Sequence, residues 1–548
     1  MRSEPEPRLL HTATASDRSR TASDAERAPV RLAELVAALS LGVDLGFGQP
    51  MEHVLRQCLI ALRIAEQLGL DDEARADVYY TALLVNVGCH TDAHEQAKWF
   101  GDDIALKADK YGPHDLRSKR MMVSGIRRIG AGNPALHRFR VSLTFVLSGH
   151  REVDEMIDHH AAMARALGEQ LELPDTVLDA LGAAYEMWDG KGWPGTLGGE
   201  AIPLAARLAQ LGEFAEVAHR VGGVEAVRAL VRERRGGQFD PALCDLVDAD
   251  APELFSGLDT IVTWDAVIDA EPALAVRLRG KQIDAALLAI ANFVDLKSPY
   301  LLGHSQAVAE LAARAAAEQG LPELATTMRR TGFVHDLGRL GISNAIWDKR
   351  GPLGPGEWER VRLHPYLTER MLQQSEALAP LAAIAVQHRE RLDGSGYPRG
   401  LSGSAISRPA RILGAADAYQ AMREPRPQRP ARSPDAAAAG LRADAKAGRL
   451  DTEAVEAVLS AAGHRISRRR DGPFGLTARE VDVLRLLAVG MSNKEIAQRL
   501  VITPKTVGNH VEHIYAKIDI RTRAGAGHFA MRHGLLPEET FPAVAPVA

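Results

Sequence analysis

The chain has 548 residues, of which 46% are hydrophobic, 25% charged and only 5% aromatic, so it exceeds a single domain and carries ample core for a mainly helical protein. Its net charge of −5 is too mild to name a partner. Three dispersed cysteines (Cys58, Cys89, Cys244) exclude a disulfide framework and point to a reducing cytoplasm, and no apolar run reaches the roughly 18 to 20 residues of a membrane span.

Residues 1–29 are rich in Ser, Arg, Glu, Pro and Thr and read as a disordered tail without the charged-then-apolar order of a signal peptide. Helical periodicity begins near Val30. From there to residue 257 the chain looks like a worn copy of its later half. Trp188-Asp189-Gly190-Lys191-Gly192-Trp193-Pro194 mirrors the run from Leu392 to Pro398, with Asp189 and Asp393 lying 204 residues apart. The same shift carries His364 to His160, Asp417 to Glu213 and His388 to Ala184. His53 stands where His304 would be expected, and Val85-Asn86 replaces His335-Asp336. This first copy has therefore lost most of its chemistry. A polar insertion from Cys89 to about Leu147 carries His90, His94, His114 and His137, read as scattered surface histidines. Residues 258–281 read as a connecting helix or linker.

The second copy, 282–464, holds the chemistry. His335-Asp336 ends an apolar helical run in which Met328, Gly332 and His335 share a face. An adjacent His-Asp pair offers a divalent metal one imidazole nitrogen and one carboxylate able to bridge to a second ion, a mix that suits manganese, iron or zinc better than calcium. His304 opens a helix with Val308, Leu311, Ala312 and Ala315 inward. His364 lies at helical spacing from Val361 and Met371, His388 closes the run Leu381 to Val386, and Asp417 follows Ile412-Leu413. Four histidines and two aspartates aimed inward from five helices make a cage for one or two ions. The Pro- and Arg-rich stretch Arg423 to Asp435 reads as a solvated loop beside the site.

This order of residues resembles the HD-GYP family, the branch of HD-superfamily phosphohydrolases that hydrolyses cyclic di-GMP. The motifs that carry the resemblance are HSQAVAELA, HDLGRLGIS, His364-Pro365, HRERLDGSGYPRGL and ARILGAADAYQAM. The resemblance implies that His304, His335, Asp336 and Asp417 hold one metal and that Asp336, His364 and His388 serve another. It also implies that Asp393, Gly394, Gly396, Tyr397 and Pro398 line a nucleotide pocket. With His335 and Asp336, Arg339 takes the catalytic position at which the family has lysine. Arg389 stands where the family has a second histidine. Arginine keeps charge for phosphate but does not readily deprotonate, and at residue 389 it weakens the second metal site.

A linker, 465–475, carries Arg468-Arg469-Arg470. The last block, 476–538, reads as four short helices and is followed by a tail, 539–548. Thr477 with Glu480, and Ser492 with Glu495, form capping boxes; Thr503 caps a third helix with Pro504 at its first position. Val507, Val511, Ile514 and Ile518 make that helix's inner stripe. Two short helices joined by a tight turn are a helix-turn-helix arrangement. Residues 476–536 hold nine Lys or Arg against five Asp or Glu, a net of +4 in an acidic chain, which fits double-stranded DNA. The block closely resembles the LuxR-type DNA-binding domain. By that resemblance Lys494, Thr503, Lys505, Thr506, Asn509, His510 and Lys517 form the DNA-facing set, and the fourth helix supports a homodimer.

The expectation is an all-α protein: two HD-GYP-like helical domains followed by a small LuxR-type helix-turn-helix domain, with short hairpins at most at the GYP loops. Its leading function is a cytoplasmic DNA-binding transcription regulator controlled by a metal- and nucleotide-sensing domain. The alternative is a metal-dependent phosphodiesterase for cyclic di-GMP or a related nucleotide, with an accessory DNA-binding domain.

Overall fold

The computed structural model describes residues 29–108, 150–272, 275–465, 474, 476–518 and 520–536. The N-terminal tail, His114, His137, the Arg468-Arg469-Arg470 run and the final tail lie outside them. The chain divides into two compact units, Met1–His464 and Arg465–Ala548. Helices dominate both.

In the first unit the two copies share one apolar core. The helix Leu32–Gly46 explains why: it is apolar almost all round, and thirteen of its fifteen residues are buried. A Cβ on Gly42 would come within 2.8 Å of the Leu340 side chain, so the helix lies directly on the second copy. The 258–281 stretch does more than connect. It holds the helix Thr263–Asp269, and Arg277–Leu278 pairs antiparallel with Val30–Arg31, the one sheet among the described residues. The expected hairpins at the GYP loops reduce to an isolated bridge, Asp393 to Ser402.

The internal repeat is visible atom by atom. A Cβ on Gly88 would lie 2.0 Å from the His160 carbonyl oxygen, and one on Gly338 would lie 2.0 Å from that of His364. Only glycine allows that approach, in both copies. The Glu186 carboxylate accepts from the N–H groups of Gly195, Thr196 and Leu197; Glu390 accepts in the same way from Arg399 and Leu401. Each glutamate thus wraps its Gly-rich loop around itself, and Trp193-Pro194 and Tyr397-Pro398 are both cis.

His90 departs from the surface reading. It is buried, its Nε2 lies 2.9 Å from the Phe293 carbonyl oxygen and its ring packs edge-on against Phe293, so it joins the copies. Burial pushes its imidazole down to about 3. His94 is half-buried and meets Asp348 at 2.7 Å. Beside it, the buried Asp103 carboxylate accepts from the Ser343 hydroxyl at 2.7 Å and the Asn344 N–H at 2.8 Å. The first copy thereby pins the loop that walls the second copy's pocket.

Candidate metal centre

Five segments of the second copy converge on one buried point. His304 starts the helix His304–Glu318, His335 and Asp336 follow the helix Ala325–Val334, and His364 starts His364–Leu372. His364 therefore opens a helix of its own, because the preceding one, Pro355–Arg362, stops at Leu363. His388 lies in the turn after Ala379–Ala385, and Asp417 sits inside Arg408–Arg423. All six side chains are almost fully buried.

Asp336 is the hub. Its Oδ2 lies 3.3 Å from His335 Nε2 and 3.6 Å from His304 Nε2, while Oδ1 lies 3.5 Å from both His364 Nε2 and His388 Nε2. His304 Nε2 is also 3.4 Å from Asp417 Oδ1. Two donor sets result, His304-His335-Asp336-Asp417 and Asp336-His364-His388, each with its ligand atoms within 4.8 Å of one another.

The imidazoles are oriented as ligands. The Nδ1 atoms of His335, His364 and His388 face the carbonyls of Gly332, Val361 and Ala385 at 2.7, 2.6 and 2.7 Å. Donation there fixes the tautomer and leaves Nε2 as the free lone pair. All four Nε2 atoms and Asp336 Oδ1 lack a hydrogen-bond partner despite burial, while Asp336 Oδ2 and Asp417 Oδ2 face only arginines. Such orphans are costly unless something positive fills the space between them. Imidazole nitrogens around a shared carboxylate suit a divalent transition ion, so the residues fit one or two such ions.

Two arginines stand close by. Arg339 Nε lies 2.6 Å from Asp336 Oδ2, and its guanidinium rests 4.7 Å above the Trp347 ring. Arg389 grips both oxygens of Asp417, at 3.1 and 3.2 Å. Burial opposes it, yet Arg339 and the neighbouring histidines hold the Asp336 carboxyl well below its usual range. Burial, with Arg389 adding to it, lowers His388 to about 4. His304 goes the other way: burial opposes it, but Asp417 and Glu424 raise it to about 9.

That value sets a pH dependence. Below pH 9 the metal-free protein holds a proton on His304, which a metal must displace, so apparent affinity should rise about tenfold per pH unit and flatten above 9. In the metal-free fold the same proton contributes stability that is complete below 6.5 and disappears as pH rises through about 9. Calorimetric titration in buffers of different ionisation enthalpy would count the proton; none released at pH 7 would contradict this.

Beside the ligands, reached through Arg339 and Arg389 and lined by none of the six ligand residues, opens a cavity of about 530 Å³. Its wall carries six cations (Arg339, Lys349, Arg350, Arg389, Arg426, Arg429) and four aromatics (Tyr300, Trp347, Trp358, Tyr397) against one acid, Asp348. Of the five loop residues expected at a nucleotide pocket, Tyr397 alone is in this lining. Asp393 is bonded to Ser395, Gly396 packs on the Glu390 backbone, and Gly394 and Pro398 lie outside it. The segment from Arg423 to Asp435 is more than a solvated loop: Arg426 and Arg429 pair backbone to backbone and both reach the wall. Sequence reasoning missed Trp347, Trp358 and Lys349, whose only signal was proximity in chain to the His-Asp pair and His364.

The first copy replaces this chemistry with neutral contacts and ion pairs. Asn86 donates to Glu213 at 3.0 Å, His53 pairs with Glu216, and Cys89 Sγ meets the Tyr185 hydroxyl at 2.7 Å. Among the described residues, the metal-capable clusters are those of the second copy.

In the second unit, both capping boxes form as spaced. The helices Asn493–Leu500 and Pro504–Lys517 flank a turn in which Val501 adopts φ +54 and is 89% exposed. Val507 and Ile514 are buried, Val511 and Ile518 half-buried. Lys494, Thr503, Lys505 and Asn509 are exposed; Thr506 and His510 are half-buried. Thr503 accepts from the Thr506 N–H and so serves the cap. Lys517 is engaged inside its own unit, its ammonium 2.7 Å from Glu480.

The comparisons agree with this geometry. Residues 289–454 match the family model described as HD domain, and residues 475–530 match bacterial regulatory proteins, luxR family. The chain is 32% identical over 415 residues to 3'3'-cGAMP-specific phosphodiesterase 3 of Vibrio cholerae serotype O1, covering 74% of this chain and 90% of that protein. It is 39% identical over 127 residues to a cyclic di-GMP phosphodiesterase of Thermotoga maritima, 23% of this chain and 34% of that one. The crystal structure of a cyclic GMP-AMP specific phosphodiesterase of V. cholerae superposes with a TM-score of 0.56 at 28% identity, over 80% of this chain and 99% of that one. The chain belongs to the HD-GYP family of HD-domain phosphodiesterase homologues and carries a luxR-family helix-turn-helix domain at its C-terminal end.

Proposed function

We infer that the protein is a DNA-binding regulator whose second HD-GYP copy binds, with one or two divalent ions, a 3'3'-linked cyclic dinucleotide and hydrolyses it. The observation that carries this is the convergence of six buried metal-capable groups beside a cationic, aromatic cavity. Two phosphates suit the cations and two bases suit the rings of Trp347, Trp358, Tyr300 and Tyr397. Metal ions bound at these donor sets supply Lewis acidity and a lowered pKa for water. The chain's own groups do the rest: Arg339 and Arg426 hold phosphate oxygens, the buried pocket excludes bulk water, and Asp336 organises the four imidazoles. Water oxygen bonds to phosphorus, the P–O3' bond breaks, and a proton ends on the 3' oxygen, leaving a linear dinucleotide.

The likeness to a cGAMP-specific relative over 74% of the chain favours cGAMP or cyclic di-GMP as the substrate class. A bacterial cytoplasm and a homodimer through the last helix fit DNA recognition. One observation favours a second reading, binding without cleavage: Arg389 already occupies both oxygens of Asp417. Purified protein with Mn²⁺ and either 3'3'-cGAMP or cyclic di-GMP separates the two by chromatography. A linear product supports hydrolysis, binding without product supports the sensor, and neither binding nor product discards both.

A further inference from the structure

The four imidazoles of the pocket are not held alike. His335, His364 and His388 each turn Nδ1 to the main-chain carbonyl three residues earlier. For His304 the residue three earlier is Leu301, and its carbonyl accepts from the His304 backbone N–H at 2.8 Å, as the Ala385 carbonyl also does from the His388 N–H. His304 Nδ1 meets a carboxylate instead: both oxygens of Glu424, at 2.9 and 3.0 Å. Glu424 follows directly on the helix that carries Asp417, and its side chain is only 13% exposed. It is held in turn by Gln420 Nε2 and an Arg426 guanidinium nitrogen, each at 2.8 Å. Arg426 also donates to the Tyr300 carbonyl at 2.7 Å, four residues before His304, and lines the cavity.

A carboxylate on the far nitrogen of a ligating histidine fixes tautomer and ring orientation, as a carbonyl does. It adds full negative charge, which makes the near nitrogen a stronger donor. We propose that Glu424 is the positioning residue for His304, aiming its Nε2 at Asp336 and Asp417 and strengthening it as a metal ligand, with Arg426 tying that hold to the cavity wall. This rests on the metal reading above. The pocket's strongest imidazole donor is then set by a residue from the Pro- and Arg-rich segment, outside every motif in the sequence.

The test is the Mn²⁺ dissociation constant of the full-length protein, measured against a competing fluorescent chelator with melting temperature alongside. Glu424→Ala is expected to weaken binding about 10- to 100-fold, the range for removing such a partner, with Glu424→Gln between it and the wild type. Arg426→Ala should weaken binding by less. Arg442→Ala, which removes a half-exposed cation paired with Glu456 outside the cavity, should leave Mn²⁺ affinity unchanged. Glutamine fills the same space as glutamate, so wild-type affinity in Glu424→Gln would overturn the inference while leaving the metal reading intact. A wild-type protein that binds no Mn²⁺ overturns both. Should Glu424→Ala fail to fold, the Gln variant carries the decision alone.

Discussion

Asp336→Ala is expected to empty both metal sets at once and to lower cyclic-dinucleotide turnover by at least about a thousandfold, the scale of losing one preorganised charged group from an active site. The reason is its place as hub: one oxygen faces His335 and His304, the other His364 and His388. Removing it also leaves Arg339 buried without its carboxylate, at a cost of about 3–5 kcal/mol. Asp336→Asn keeps the shape and separates the two effects. Metal content by mass spectrometry and turnover by chromatography read the outcome. An alanine variant that stays folded and keeps its metal would remove Asp336 from the centre of the site.

Lys505→Ala combined with Asn509→Ala is expected to abolish measurable operator binding while the protein stays folded. Both side chains are exposed on the helix Pro504–Lys517, whose Val507 and Ile514 face the core. An asparagine reading a base edge is worth about 1–3 kcal/mol of discrimination, and a lysine on phosphate contributes about one unit of the salt slope. Binding must be compared at matched salt, since phosphate contacts alone move affinity by orders of magnitude. Unchanged affinity and slope would take this helix out of the interface.

How much the chain disclosed in advance follows from the range of the interactions. The capping boxes Thr477–Glu480 and Ser492–Glu495 were legible because each closes within four residues. The six ligand groups stood out because each adjoins an apolar helical run, where it has nowhere to point but inward. The cavity wall was not legible. Trp347, Trp358 and Arg426 meet there only through tertiary packing, and the Gly-rich loop that drew attention is wrapped around Glu390. His90 misled for the same reason: its partner Phe293 lies 203 residues away in the other copy. Glu424 gave no signal at all, since its partner His304 lies 120 residues earlier in the chain.

The degenerate first copy has a physical part to play. Asp103 and His94 hold the short helix Asn344–Trp347 and the following Asp348, so the wall of the cavity leans on the copy that lost its ligands. The shared core makes the two copies one mechanical body.

The most direct measurement is elemental analysis of the purified full-length protein after chelation and reloading with Mn²⁺, Fe²⁺ or Zn²⁺. Two donor sets sharing Asp336, one of four groups and one of three, predict a first ion held tightly and a second held weakly. A protein that takes up no divalent ion under any of these conditions would contradict the account at its root.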